Sequence, residues 1–292
     1  MKATDSLFAF AFVMVSPLVA RAASPVPAPI TQVKWFGHAA FQITLPSGKT
    51  MLIDPWITNP MNPKGKEDVA QLAQPGKVDY ILLTHGHSDH VGDTVEIGKK
   101  SGAKLIAGFE LGNNLVRVHG YPALQATVET LGNAGGELKL AGGEVTLTFT
   151  PAIHGSGLDY PTPPEGGPEK ETRPLMYGGA PVGFILQVKN GPTIYLSGDT
   201  SYFREMEVLG ETLPPDLALL NIGGHFGMEP PMAARAATSL KAKLVVPHHF
   251  KTFPILTPDD KEFFADLDKR KIAHAELQPG GTLVFEGKKL KK

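Results

Sequence analysis

The chain has no cysteine among its 292 residues. That excludes disulfides, thiolate metal ligands, a cysteine nucleophile and lipid attachment at an N-terminal cysteine. An excess of charge of one sign is also missing: Lys and Arg total 28, Asp and Glu 29, for a formal net charge of −1. A nucleic-acid partner, which calls for a basic face or stripe, is not expected. The one dense basic run, residues 288–292, reads as a solvated tail. No G-x-S-x-G occurs, so nothing marks a serine nucleophile.

Long apolar runs are absent except at the start. Leu7 to Val15 is uninterrupted, Lys2 supplies a weakly positive beginning, Pro17 breaks the run, and Ala20-Arg21-Ala22 has the small-x-small form of a cleavage site. Residues 1–22 are expected to be a secretory signal peptide cut after Ala22, giving a periplasmic or secreted protein. The run is too short for a membrane span, and none is expected after cleavage. Cleavage removes Lys2, Arg21 and Asp5 and takes the net charge to −2. A proline-rich tether over 23–30 then leads to one domain over 31–287, with 288–292 as the tail.

Within the domain, runs at Gln32–Phe36, Phe41–Leu45 and Thr50–Ile53 read as an antiparallel meander turned by Pro46-Ser47-Gly48-Lys49. Strand and helix patterns then alternate: strands at Asp79–Leu83, Lys104–Ala107, Glu144–Thr150, Leu217–Ile222, Lys243–Pro247 and Leu283–Phe285, helices at Thr94–Ser101, Leu111–His119, Met232–Leu240 and Asp259–Arg270. Val182–Val188 and Thr193–Ser197 predict a hairpin around Asn190-Gly191. Two sheets with helices outside account for this order, an α/β architecture. The Pro-, Gly- and Glu-rich segment from His154 to Gly179 lacks periodicity and is expected to be a loop or lid beside a pocket.

What the sequence does have is a crowd of imidazoles. Thr84-His85-Gly86-His87-Ser88-Asp89-His90 puts three of the ten histidines and a carboxylate directly after an apolar strand. Residues i and i+2 of an extended stretch point the same way, so His85 and His87 can share a metal. Imidazole with carboxylate suits zinc, manganese or iron rather than calcium. Four residues do not complete two sites. Further ligands are offered at three later strand ends, by His154, by Asp199 and by the pair His248-His249.

This order of motifs resembles the metallo-β-lactamase superfamily and, within it, the small metal-dependent hydrolases related to the ascorbate-phosphate lactonases. The likeness runs from about residue 31 to 286. It includes Trp35-Phe36-Gly37-His38, Asp54-Pro55, Gly198-Asp199-Thr200, Ile222-Gly223-Gly224 and the stretch from Pro247 to Pro254. It implies a four-layer αββα sandwich. It also implies two divalent transition metal ions, zinc first, with manganese or iron as alternatives. His85, His87 and His154 would hold the first ion, Asp89, His90 and His249 the second, with Asp199 between them. The resemblance selects His249 over His248; neighbours in a strand face opposite ways, so the two are not expected to bind the same metal. His38 and Asp54 are expected near the site, with Asp54 a partner for a ligand imidazole's second nitrogen. Asp89 and His225 are the catalytic candidates, Asp89 as proton carrier and His225 as a group that polarises substrate. The implied activity is hydrolysis of a small molecule by a metal-bound hydroxide attacking an ester, lactone, amide or phosphodiester. The alternatives are a metal-binding protein without turnover, and a di-iron redox protein, for which the chain has no cysteines to hold a partner cluster. His119 and His274 carry no motif and read as structural.

Overall fold

The meander forms as its turn residues predict. β1 (Ile30–Gly37), β2 (Ala40–Thr44) and β3 (Thr50–Ile53) pair antiparallel in sequence order. The computed structural model describes residues 28–161 and 174–291. The expected signal peptide, most of the tether and the centre of the segment after His154 lie outside the described residues. From β3 the chain crosses through α1 (Gly65–Leu72) to β4 (Tyr80–Leu82). It passes through α2 (Ser88–Val91) and α3 (Thr94–Ser101) to β5 (Lys104–Gly108), then through α4 (Phe109–Arg117) to β6 (Leu131–Gly132). Each of these strands lies parallel to the one before it.

The second half repeats the plan. β7 (Glu137–Leu140) and β8 (Val145–Pro151) pair antiparallel, and β9 (Gly157–Leu158) pairs with β10 (Met176–Tyr177) in a separate ribbon. β11 (Val182–Val188) and β12 (Thr193–Leu196) make the hairpin, with Asn190 in the left-handed conformation at its turn. α5 (Met206–Thr212), β13 (Leu217–Asn221), α6 (Pro230–Ser239), β14 (Leu244–His248), α7 (Lys261–Lys269) and β15 (Ala273–His274) follow. β16 (Thr282–Glu286) and β17 (Lys289–Leu290) return to the first sheet. Among the described residues the sheet orders are β17-β16-β1-β2-β3-β4-β5-β6 and β15-β14-β13-β12-β11-β8-β7.

Period-two alternation sorts the first sheet's side chains between two cores. Met51, Ile53, Tyr80, Leu82 and Ile106 belong to the core shared with the second sheet. Leu52, Ile81, Leu83, Leu105 and Ala107 pack with Val69 of α1, Ile97 of α3 and Leu111 and Leu115 of α4. The second sheet's outer face is covered by Met206, Ala233, Ala237, Phe263 and Leu267 from α5, α6 and α7. Helix, sheet, sheet and helix therefore stack as the expected αββα sandwich. Strands covered on both faces carry continuous apolar runs, and β13 is buried at every position. No helix among the described residues is long and apolar enough to cross a membrane.

Some elements differ from the sequence reading. α1 buries only Gly65 and Val69, too thin a stripe to register as periodicity. The segment from His154 to Gly179 is not structureless throughout: its described ends close as the β9–β10 ribbon, with Met176 opposite Leu158. The basic tail is not wholly frayed, because Lys289 and Leu290 pair with Glu286 and Phe285 of β16.

Candidate metal centre

Every candidate ligand follows the C-terminal end of a strand, and all these ends open on one edge of the sandwich. That edge is where open α/β sheets present their ligands. The run Thr84 to His90 leaves β4, His154 follows β8, Asp199 follows β12 and His249 follows β14. His87 precedes the single turn of α2, which carries Asp89 and His90. Two glycines permit the approach. Gly198 has φ +55°, and a Cβ there would stand 2.7 Å from the Thr84 side chain. At Gly223 a Cβ would meet the His249 carbonyl oxygen and lie 3.0 Å from its Nδ1. His38, Asp54 and His249 all have positive φ (50°, 42° and 59°), a concentration of unusual backbone at one site.

The side chains converge. His85 Nε2 lies 2.9 Å from His87 Nδ1, and His154 Nε2 lies 3.3 Å from the same nitrogen. On the other side, Asp199 Oδ2 is 3.0 Å from His249 Nε2, 3.4 Å from His90 Nε2 and 3.6 Å from His154 Nε2. It thus stands between the two groups. Asp89 Oδ2 is 3.5 Å from His249 Nε2 and 3.1 Å from His38 Nε2. His85, His87 and His154 form one set that could hold an ion, and His38, Asp89, His90 and His249 form another. His38 therefore stands inside the cluster rather than merely near it.

The polar accounting fits a cation site. His90 Nε2, His249 Nε2 and Asp199 Oδ1 are buried and have no hydrogen-bond partner. His249 Nε2 is close to Asp199 Oδ2 yet lacks hydrogen-bonding orientation. Buried polar atoms normally find partners, and these are soft nitrogen and hard oxygen donors aimed at a common space.

Asp54 organises the imidazoles from behind. It is 1% exposed. Thr84 donates to it twice, from the backbone N–H to Oδ1 (2.8 Å) and from Oγ1 to Oδ2 (2.7 Å). His90 Nδ1 donates to Oδ2 at 2.8 Å, which leaves the His90 Nε2 lone pair facing the cluster. The Thr84 hydroxyl has only one proton and spends it on Asp54. It must then accept from His85 Nδ1, 3.0 Å away, so His85 Nε2 also presents a lone pair. By the same logic His38 Nε2 donates to Asp89 while its Nδ1 accepts from the Thr252 hydroxyl at 2.8 Å.

Burial and mutual charge set the protonation. Burial holds His85 well below the ordinary histidine value, and it lowers His87 and His154 as well. His38 falls to about 4, through burial and then the charge of His249. Burial pulls His90 and His249 down too, but the Asp199 carboxylate outweighs it. His90 ends well above its ordinary value and His249 at about 9. Burial pushes Asp199 and Asp89 up, but neighbouring imidazoles, His249 first, hold both below the usual carboxylate range. Without metal, protons on His90 and His249 balance the two carboxylates. Metal binding displaces them.

His248 ends β14 pointing inward, with Nε2 3.3 Å from Ser197 Oγ and its ring edge-on to Phe41. His249 leaves the strand through its left-handed backbone and enters the cluster. Burial keeps His248 neutral, well below its ordinary value. As pH falls below about 6.5, the unfolded chain gains a proton here that the native chain refuses. Stability present above that pH is then lost at about 1.4 kcal/mol per pH unit. Replacing His248 by Gln should flatten the fall in melting temperature between pH 6.5 and 5. Equal slopes in the two proteins would exclude His248 as a source of acid sensitivity.

His225 is not brought to the cluster. It is exposed and lines a neighbouring cavity with Glu229 and Glu262. The Gly223-Gly224 turn instead swings Phe226 over the metal-facing groups. His87, Asp89, His154, Asp199 and His249 floor a cavity of about 220 Å³, walled by Phe226, Phe253 and Leu256. Phe253 lies within the motif stretch ending at Pro254, whereas nothing in the sequence marks Leu256. His274 stacks on Phe264 and faces Asp268, far along the fold at the β15 edge. His119 interacts with Asp159.

Comparison with known proteins adds an independent line. A family model described as a β-lactamase superfamily domain matches residues 49–250. A metal-dependent hydrolase of Thermodesulfovibrio yellowstonii is 45% identical over 258 residues, 88% of this chain and 92% of that protein. One from Cupriavidus necator is 38% identical over 274 residues, 92% of each. Among solved structures, Igni18, a metallo hydrolase from the archaeon Ignicoccus hospitalis, matches with a TM-score of 0.73 at 32% identity. That match covers 88% of this chain and 99% of the other.

Proposed function

Since the chain belongs to the metallo-β-lactamase superfamily, as one of its metal-dependent hydrolases, we propose that it uses two divalent transition metals, zinc first, to hydrolyse an ester, lactone, amide or phosphodiester in a small molecule. The observation that carries the metal assignment is the set of unpartnered buried atoms, His90 Nε2, His249 Nε2 and Asp199 Oδ1, turned toward one space. His85, His87 and His154 would hold one ion and Asp89, His90 and His249 the other, with Asp199 placed between the two sets. When bound, such ions make water nucleophilic near neutral pH and stabilise charge that develops on the substrate oxygen.

The chain's own groups do the rest. Asp54 and Thr84 fix the tautomers of His90 and His85, so both imidazoles arrive as acceptors. His38, pinned by Thr252, orients Asp89. Asp89, set between His38 and His249, is the group that would carry a proton to the leaving atom. Phe226, Phe253 and Leu256 limit access of bulk water. The pattern of residues 1–22 supports export to the periplasm or beyond, with cleavage after Ala22.

Elemental analysis of protein recovered from the periplasm, with its intact mass, tests the proposal. The expected result is about two transition-metal ions per chain, mostly zinc, loss of hydrolysis on chelation, and a mass beginning at Ala23. One ion per chain would sink the two-metal reading. A full-length mass in the cytoplasm would sink the export reading.

A further inference from the structure

The walls above the metal-facing groups carry information that the cluster itself does not. Phe226 is 55% exposed and Phe253 38%, so both leave aromatic surface facing the cleft. Phe253 is held in place from behind, stacked on Trp56 at 5.8 Å and 17°. Neither lysine nor arginine lines this cavity among the described residues. Lys251, the cation nearest in sequence, turns its backbone to Thr257 and bears on Asp259 and Asp260 instead.

A charged group on the substrate, beyond the atoms that touch the metals, would lose its water against Phe226 and Phe253 with no ion partner among the described residues. An apolar group there gains by leaving water. The volume of about 220 Å³ lies below that of pockets which enclose drug-sized ligands and so admits a compact molecule.

We infer that the substrate is an uncharged carboxylic ester or lactone whose compact apolar acyl group sits between Phe226, Phe253 and Leu256. This rests on the hydrolase reading of the same site. In the reaction the water oxygen bonds to the acyl carbon and the acyl–oxygen bond breaks. One water proton goes to the leaving alkoxide, giving the alcohol, and the other is released as the acid ionises. Substrates that carry a charge beyond the reacting atoms, lactams with a carboxylate among them, are thereby disfavoured.

The test uses the metal-loaded protein and substrates with one leaving group: p-nitrophenyl benzoate, p-nitrophenyl p-carboxybenzoate and bis(p-nitrophenyl) phosphate. The neutral benzoate is expected to be favoured over the carboxybenzoate in kcat/KM by roughly 100-fold, the scale set by an unpaired charge in an apolar wall. Phe253→Lys should shrink that preference by about tenfold or more while metal content stays the same. Calorimetry supplies a second readout without turnover: acetophenone should bind, and about tenfold more weakly to Phe253→Lys. Equal or faster hydrolysis of either anion by the parent protein overturns the inference and leaves the hydrolase intact. Absence of turnover on all three, with two metals bound, overturns both. Failure of acetophenone to bind while the neutral ester is hydrolysed removes the apolar wall as the cause.

Discussion

Asp199→Ala is expected to leave the protein with well under one metal ion per chain and to lower kcat/KM by on the order of 10³-fold. Among the described residues Asp199 is the one carboxylate within reach of both groups of imidazoles, with Oδ2 3.0 Å from His249, 3.4 Å from His90 and 3.6 Å from His154. It is also buried, and burial alone would favour its neutral form. The imidazoles reverse that and keep it ionised. Removing it deletes a negative charge from a site whose remaining ligands, Asp89 excepted, are neutral when metallated. A buried dication then loses both a ligand and half of its neutralising charge. Asp199→Asn keeps the shape and removes the charge, and should fall nearly as far. Elemental analysis and steady-state kinetics on the two variants check this. Near-parental metal content with near-parental turnover would refute a bridging role.

The second large effect is expected from a residue that touches no metal. Asp54→Asn preserves volume but replaces an oxygen facing His90 Nδ1 with an amide. That amide donates, so His90 Nδ1 becomes the acceptor and the ring proton moves to Nε2, the nitrogen that faces the cluster. A donor then stands where a lone pair is needed. Thr84 is disturbed as well, and through it His85. Metal affinity should fall by roughly 10–100-fold, the range typical of partners one step behind the ligands. Turnover at limiting zinc should fall with it and recover at excess zinc. Asp199→Ala should not recover in this way, and that contrast separates a positioning residue from a ligand. An Asp54→Asn protein that binds metal as tightly as the parent would show that His90 does not depend on Asp54 for its tautomer.

Both expectations concern electrostatics in a site built mostly of uncharged rings. Among the described residues, five imidazoles and two carboxylates make up the proposed ligand set, and His38 adds a neutral ring that donates to Asp89. The rings pack at 4.1–5.3 Å, for example His85 with His90 and His90 with His249, a spacing that metal-bound, neutral imidazoles would hold without the repulsion between cations. The chain builds this crowd on backbone that is left-handed at His38, Asp54 and His249, at a typical cost of about 1–3 kcal/mol each. A bound metal would offset that cost by stabilising the folded chain alone.

Much of this was legible in the amino-acid sequence because it is local. Alternation and apolar runs mark β1, β3, β11 and β13, since burial on one or two faces writes its period directly into the chain. His85, His87, Asp89 and His90 are readable because one strand exit delivers all four. His154, Asp199 and His249 are readable only as a series of strand ends, each weak by itself. The absence of cysteine and of net charge narrowed the chemistry before any element was placed.

What the tertiary structure alone decided is relational. Spacing does not show that Asp54 reaches His85 through the hydroxyl of Thr84, because the two carboxylate oxygens meet their partners across separate strands. Nor does it show that His38 enters the cluster, since the turn after β1 must fold against the strand ends of both sheets to bring it there. His225 and Phe226 are neighbours with equal claims in sequence, and the direction of the Gly223-Gly224 turn sent the aromatic ring to the cavity and the imidazole away. The residue types at the strand ends limit which metals can bind. Which nitrogen meets the metal, and which side chains meet the substrate, depends on contacts between segments far apart in the chain, and those exist only once the two sheets have packed.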